Sequence, residues 1–473
     1  MIKVIRFPLI QVLIVIILAG CNLQPHYERP ALPVSQRWGG EDKLKEAQGG
    51  TLASETGWQT YFGDEQLRQL IGLALQNNRD LKVSVLNVES ARASFRVERS
   101  ALMPSISANG SQTSAHLPGN LYSTRSIGPV TYQQYEANLG VSSWEIDFFG
   151  RIRSLRDEAL EKYLSTEASS RATQISLISD VVSGYLTLCA DNDLLKLTED
   201  TLKSQSETYK LAKQRYEMKV SSEQDLVQAE TSVRNAQAEL AQYERQVKQD
   251  VNALRLLVGT ELPENVAENA TLAHGWRFQS LPSGMPSEVL TERPDIIAAE
   301  HTLRAANASI GAARAAFFPN ISLTASGGSA SESLGHLLEG GTAAWSFVPS
   351  ISLPIFDGGK NNANLDIAEI SKRVEIANYE KVVQTAFKEV SDALAGQSTY
   401  RAELTARVQD TVANTRYYDL AQQRYREGVD NYLNVLVAQR TLFEARKSEI
   451  SARAGELTQH VTLYKVLGGG WKS

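Results

Sequence analysis

The chain has 473 residues, a formal net charge of −6, and only 42% hydrophobic and 7% aromatic residues. That length allows two or three domains, but the composition is lean for a compact enzyme. Lys and Arg are dispersed among Glu and Asp, which leaves no basic footprint for nucleic acid.

In chain order, residues 1–20 predict a lipoprotein signal peptide. Lys3 and Arg6 precede an apolar run from Phe7 to Leu18 that is too short for a stable membrane span. The run ends in Leu18-Ala19-Gly20-Cys21, which resembles a bacterial lipobox and makes Cys21 the expected lipid attachment point. Asn22 comes next rather than the Asp associated with inner-membrane retention, so delivery to the outer membrane is allowed. The other cysteine, Cys189, succeeds Val182 and Ile175 at heptad spacing and reads as a buried packing thiol.

Residues 21–63 hold Pro25, Pro30, Pro33, Gly39-Gly40 and Gly49-Gly50 and predict an extended lead-in. The remainder of the chain is built from a repeat. Residues 211–233 recur within 420–443 at an offset of 209, with seven identities in twenty-three positions. The first repeat, 64–259, is expected to run as one helix over about 64–103, a β-hairpin over 104–149 and a long helical hairpin over 151–259. An irregular linker, 260–292, leads into the second repeat, 293–468. That copy repeats the order, with a helix, a β-hairpin over 319–358 and a helical hairpin over 360–468. Residues 469–473 form a tail after the glycines that stop the last helix.

The strand assignments rest on a period of two. Tyr135, Ala137, Leu139 and Val141 alternate with polar residues, as do Trp345, Phe347, Ile351 and Leu353 with serines. Four strands per chain cannot close a membrane barrel, which uses even counts from about eight upward, so strands facing lipid require several chains in one barrel. Exposed hairpins on a soluble coiled-coil protein would show the same period.

The helical regions are free of proline: all fourteen prolines lie outside 151–260 and 360–473. At ~1.5 Å per residue a helix over 151–217 would be about 100 Å long. Its return carries a heptad seam, Leu226, Ala229, Val233, Ala236, Leu240, Tyr243, Val247, Asp250, Leu254 and Leu257, with Asp250 its one polar member. The hairpins turn at Met218-Lys219-Val220 and Glu427-Gly428-Val429.

Catalytic signals are missing. The six histidines are scattered without zinc-ligand spacing, and there is no phosphate loop, dinucleotide fingerprint or nucleophile elbow. The chain is expected to be no enzyme and to hold no cofactor or metal beyond a covalent lipid on Cys21.

Several segments together resemble the TolC-like outer-membrane efflux lipoproteins, especially the OprM and CusC branch. They are CNLQPHYERPALP, WEIDFFGRIRS, LTERPDIIAAEHTLRAANASIGAARAAFFPNISL, LPIFDGGKNNANLDIA, RYREGVDNYLNVLVAQRTLF and LYKVLGGGW, in the family's order. The resemblance implies a mixed fold: a homotrimer in which each chain gives four strands to a 12-stranded outer-membrane barrel and its helical hairpins to a periplasmic α-barrel. The linker and termini would form an equatorial belt. The chain would then be a passive, gated duct working with a periplasmic adaptor and an inner-membrane transporter of the resistance-nodulation-division class, exporting drugs and toxic compounds. By the same resemblance Leu433 and Val437 stand at the periplasmic gate, Val437 where the family carries an aspartate, with Asp430 and Asp225 as nearby substitutes. Arg215, Tyr216, Val220, Arg424, Tyr425, Gly428 and Val429 match the tips that meet the adaptor. Rival readings keep the fold and export metal ions or proteins, or drop transport for a coiled-coil lipoprotein scaffold. Only four methionines, unclustered, argue mildly against copper.

Overall fold

A computed structural model describes residues 22–35, 56–118, 128–264, 266–273, 275–279 and 287–469. Cys21 and the tail from residue 470 lie outside them. The helices are α1 (Trp58–Tyr61), α2 (Glu65–Asn77), α3 (Arg79–Ser100), α4 (Arg151–Glu217), α5 (Glu223–Val258), α6 (Pro294–Ala315), α7 (Lys360–Arg426) and α8 (Tyr432–Val466). The strands are β1 (Ile106–Leu117), β2 (Val130–Glu145), β3 (Asn320–Ser331) and β4 (Ala343–Ser352). Helices α4 and α7 are each 67 residues long without a break, as the absence of proline predicts.

One expectation needs correction. The single helix over about 64–103 is two helices, parted at Asn78, whose backbone turns extended (φ −58°, ψ 132°). Its Oδ1 accepts from Leu81 N–H at 2.8 Å and starts α3, while its Nδ2 donates to Leu257 O at 2.9 Å. Asparagine competes with helical hydrogen bonding in this way because its short amide reaches the local backbone.

Two compact units form, and they cut across the repeats rather than following them. Among the described residues the strand unit takes those within 22–31, 87–166 and 298–379, and the helical unit those within 32–86, 167–297 and 380–469. Each repeat contributes its strand hairpin and the start of its long helix to the first and the rest of its helical hairpin to the second.

The helical unit buries one face of α2 (Leu67, Leu70, Ile71 and Ala74) and a run on α4 from Ile178 through Cys189. Burial pushes the Cys189 thiol up to about 12, helped by the nearby Asp193 carboxylate, which fits a packing thiol. On α5 the predicted seam is buried at Ala229, Val233, Ala236, Tyr243 and Leu254. Tyr61 and Tyr464 stack at 4.2 Å, and the buried Arg293 guanidinium bonds Asp295, Glu389 and the Val466 carbonyl.

The strand unit is one antiparallel sheet in the order β1-β2-β3-β4. The two predicted hairpins are therefore joined, β2 against β3. A bulge between Val141 and Trp144, with Ser143 at φ 50°, adds one residue to β2 and returns Trp144 to the face of Val141.

Candidate functional site

The register of the sheet divides the residues at its centre between two faces. Ile106 opposes Val141, Val141 opposes Ala325, and Ala325 opposes Phe347, so these four share a face with Leu139, Leu323, Trp345 and Ile351. The other face holds Ser107, Asn109, Glu136, Asn138, Thr324, Ser326, Ser346 and Ser350. Trp345 is 81% exposed and Phe347 60% exposed. Strands of 12, 16, 12 and 10 residues are long enough to span a bilayer when tilted.

The edges carry a second regularity. Ala330 N–H donates to Thr342 O and Ile146 N–H to Ile321 O, so even residues of β3 bond β4 and odd ones bond β2. Carried through the registers, this alternation points the free backbone groups of β1 outward at even positions, 106 to 116, and those of β4 at odd positions, 343 to 351. Both sets lie on the apolar face. The two open edges are thus complementary: an antiparallel pairing of one chain's β4 with another chain's β1 keeps apolar beside apolar. Pro349, which lacks an N–H, sits at an edge, where the ladder tolerates it.

In the helical unit both hairpins turn through the same cap. Val220 N–H donates to Arg215 O and Lys219 N–H to Tyr216 O; Val429 N–H donates to Arg424 O and Gly428 N–H to Tyr425 O. This double bond pattern needs a left-handed residue, which is Gly428 at φ 74° in one copy and Lys219 at φ 63° in the other. A side chain there costs about 1 kcal/mol. The tip residues predicted from sequence divide by what they touch. Arg215 donates to the Tyr425 hydroxyl at 2.6 Å and lies over its ring, and Arg424 pairs with Asp430 at 2.6 Å, so these brace the turns. Tyr216, Val220 and Val429 are exposed. Ala212, Ala229, Tyr432, Val435 and Leu436 pack the two hairpins together behind them.

Leu433 and Val437 lie one turn apart on α8, 46% and 43% exposed, outside that cluster. Val437 lines a groove with Arg407, Asp410, Arg440 and Glu444. The two nearby acids are engaged locally. The hydrogen bond from the Arg424 guanidinium holds Asp430 below the usual carboxylate range. Asp225 closes a capping box with Ser222 and accepts from the Ser221 hydroxyl.

Sequence reasoning missed one arrangement. On α6 of the strand unit, Glu300, Arg304, Asn307 and Gly311 fall on one stripe, and each holds a residue of the N-terminal segment. The buried Glu300 carboxylate accepts from Arg29 and, at 2.6 Å, from Arg304, whose guanidinium lies 4.9 Å over the Tyr27 ring. Asn307 Nδ2 donates to Pro25 O at 2.9 Å, and Gln24 Cα lies 3.0 Å from where a Cβ on residue 311 would stand. The segment therefore runs antiparallel to α6, starting beside the end from which β3 begins and leading away from it. The heptad spacing within 300–311 was the available signal. Among the described residues no group of His, Cys, Asp and Glu could hold a metal ion, and no helix is long and apolar enough to cross a membrane.

A sequence profile described as outer membrane efflux protein matches residues 70–260 and 285–469, once for each repeat. The antibiotic efflux pump outer membrane protein ArpC and the toluene efflux pump outer membrane protein TtgC, both of Pseudomonas putida, are each 47% identical over 96% of this chain and 94% of their own length. The crystal structure of the open state of the MtrE outer membrane channel of Neisseria gonorrhoeae is 36% identical, covers 96% of this chain and 99% of its own, and superposes with a TM-score of 0.85.

Proposed function

The chain belongs to the outer membrane efflux protein family and is the outer-membrane channel component of a tripartite export system, and we propose that its cargo is organic: antibiotics, solvents and similar toxic compounds. The wall of the duct is the observation that carries the channel reading. A four-stranded sheet with one apolar face, one polar face and two complementary open edges satisfies its backbone in lipid only by closing with further copies. Three chains give twelve strands, with the helical hairpins forming the periplasmic α-barrel. The family assembles with an adaptor and an inner-membrane transporter. The cargo reading draws on relatives whose names state antibiotic and toluene efflux at 47% identity.

The finer assignments extend the same reading. Cys21 carries the lipid; the N-terminal segment starts, at Gln24 and Pro25, beside the end of α6 next to the sheet, the side on which a membrane anchor belongs. Tyr216, Val220 and Val429 offer the adaptor an exposed apolar tip, with Arg215, Arg424, Tyr425 and Gly428 holding its shape. Leu433 and Val437 close the periplasmic end by an apolar constriction that excludes water rather than by a ring of carboxylates. The transporter is of the resistance-nodulation-division class and supplies the energy.

Complementation tests the cargo. A strain lacking this chain is challenged with dyes, detergents, antibiotics, solvents, and copper and silver salts. Restored tolerance to the organic compounds is expected; restoration toward the metals alone would overturn the cargo reading. In the same strain palmitate labelling is expected for the wild-type chain and none for Cys21→Ser, and labelling that persists would remove the lipid assignment.

A further inference from the structure

The four strands contain two acidic residues, Glu136 and Glu145, and no lysine or arginine. Both acids lie on the polar face, since Glu136 opposes Ser111 and Ala330 and Glu145 opposes Ser322. Their surroundings differ. Glu145 is matched by Arg151, which donates Nε and Nη2 to its two carboxylate oxygens at 2.9 and 2.6 Å. Glu136 accepts only from the Asn138 amide, at 2.6 Å, and has no cation beside it among the described residues. Asn138 in turn accepts from Asn109 across the β1–β2 pair at 3.3 Å, so a short chain of neutral amides holds the carboxylate in place.

We propose that Glu136 sets the charge preference of the barrel, three copies forming a ring of carboxylates on the water-facing wall that favours cations over anions. The proposal rests on the three-chain barrel described above. Its physical basis is that a fixed ring of like charges raises the local concentration of counter-ions and excludes co-ions over about a Debye length, roughly 10 Å at 0.1 M salt. Rings of acidic side chains give cation preference in other pores by the same means. Glu145 contributes little, because each copy carries its own neutralising arginine. The apolar constriction assigned to Leu433 and Val437 is uncharged and does not itself discriminate by charge. Compounds leaving through the barrel would then pass most easily as cations or neutral molecules, and anionic ones more slowly.

The test uses the full-length protein in planar bilayers under a potassium chloride gradient at low ionic strength. The wild-type reversal potential is expected on the cation side, Glu136→Gln to lower the cation-to-anion permeability ratio a few-fold, and Glu136→Lys to carry it to the anion side. A second readout does not depend on an open gate. Gln134→Cys places a thiol on the polar face two residues away, while Cys189 is buried. External cationic and anionic thiol reagents are applied to cells, and the cationic-to-anionic rate ratio at position 134 is expected to fall a few-fold when Glu136→Gln is added. Current with an unchanged reversal potential, or a rate ratio indifferent to Glu136→Gln, overturns the proposal and leaves the barrel standing. Absence of both current and labelling at position 134 overturns the barrel and the proposal with it.

Discussion

Leu433 and Val437 occupy successive turns of α8 with close to half their surface open, while their neighbours Tyr432, Val435 and Leu436 are buried between the hairpins. A residue spared by the hairpin's own packing is available to its counterparts in other chains, and an apolar ring needs no partner ions to stay closed. Replacing Leu433 with serine is expected to loosen this end and to lower, several-fold, the inhibitory concentration of a large antibiotic that intact cells exclude. Unchanged susceptibility with normal amounts of protein would count against the gate. The acids beside it are poor substitutes for a carboxylate ring. Asp430 is neutralised by Arg424, and Asp225 is committed to starting α5. Sequence resemblance proposes these residues beside a gate; only the hydrogen-bond partners reveal that Asp430 is ion-paired and that Asp225 is committed to a helix cap.

Among the elements, α4 and α5 carry the least expected chemistry. Asp250, the one polar member of the seam, accepts from Gln246 at 3.0 Å and faces the Asp191 carboxyl of α4. Burial pushes the Asp191 carboxyl up to about 7, reinforced by the Asp250 carboxylate it faces. The folded chain thus holds a proton that the unfolded chain releases near pH 4. Because the folded state binds the extra proton between about pH 4 and 7, stability falls as pH rises through that window and levels off above it. Asp191→Asn is expected to flatten this slope and raise stability at pH 8 by on the order of 1 kcal/mol, a fraction of the full shift because the pair is partly solvated. Thermal midpoints of the full chain in detergent between pH 5 and 8 measure it; a slope unaltered by the substitution would contradict the pairing. The seam itself was legible because apolar residues at steps of three and four mark a buried helix face. Its partner across α4 was not, since periodicity reports which face is buried and not what it meets. The break at Asn78 escaped for a related reason: an asparagine inside a helical pattern caps or points to solvent according to where its amide finds a carbonyl, here on Leu257.

At the scale of the whole molecule, much of the architecture could be read from sequence because it is repetitive. Two copies of one plan, proline-free helices and alternating strands survive a reading by pattern alone. The compact units were not legible, since each draws on both repeats, and neither was the docking of Arg29, Tyr27 and Pro25 along α6, which joins residues about 270 positions apart. The edges of the sheet link these scales. One bulge, one proline and the alternation of hydrogen bonds leave both free edges presenting the same face outward. A sheet built this way closes on copies of itself, and the twelve-stranded barrel of the family takes three of them.

That closure is tested most directly by cysteine cross-linking between edges in outer membranes. Pairs combine an even position of β1, from 106 to 112, with an odd position of β4, from 345 to 351. Even–odd pairs are expected to give a covalent ladder that stops at three chains, while even–even pairs, which place the thiols on opposite faces, give none. A ladder running past three, or cross-linking by the even–even pairs instead, would contradict a barrel closed by three copies of this sheet.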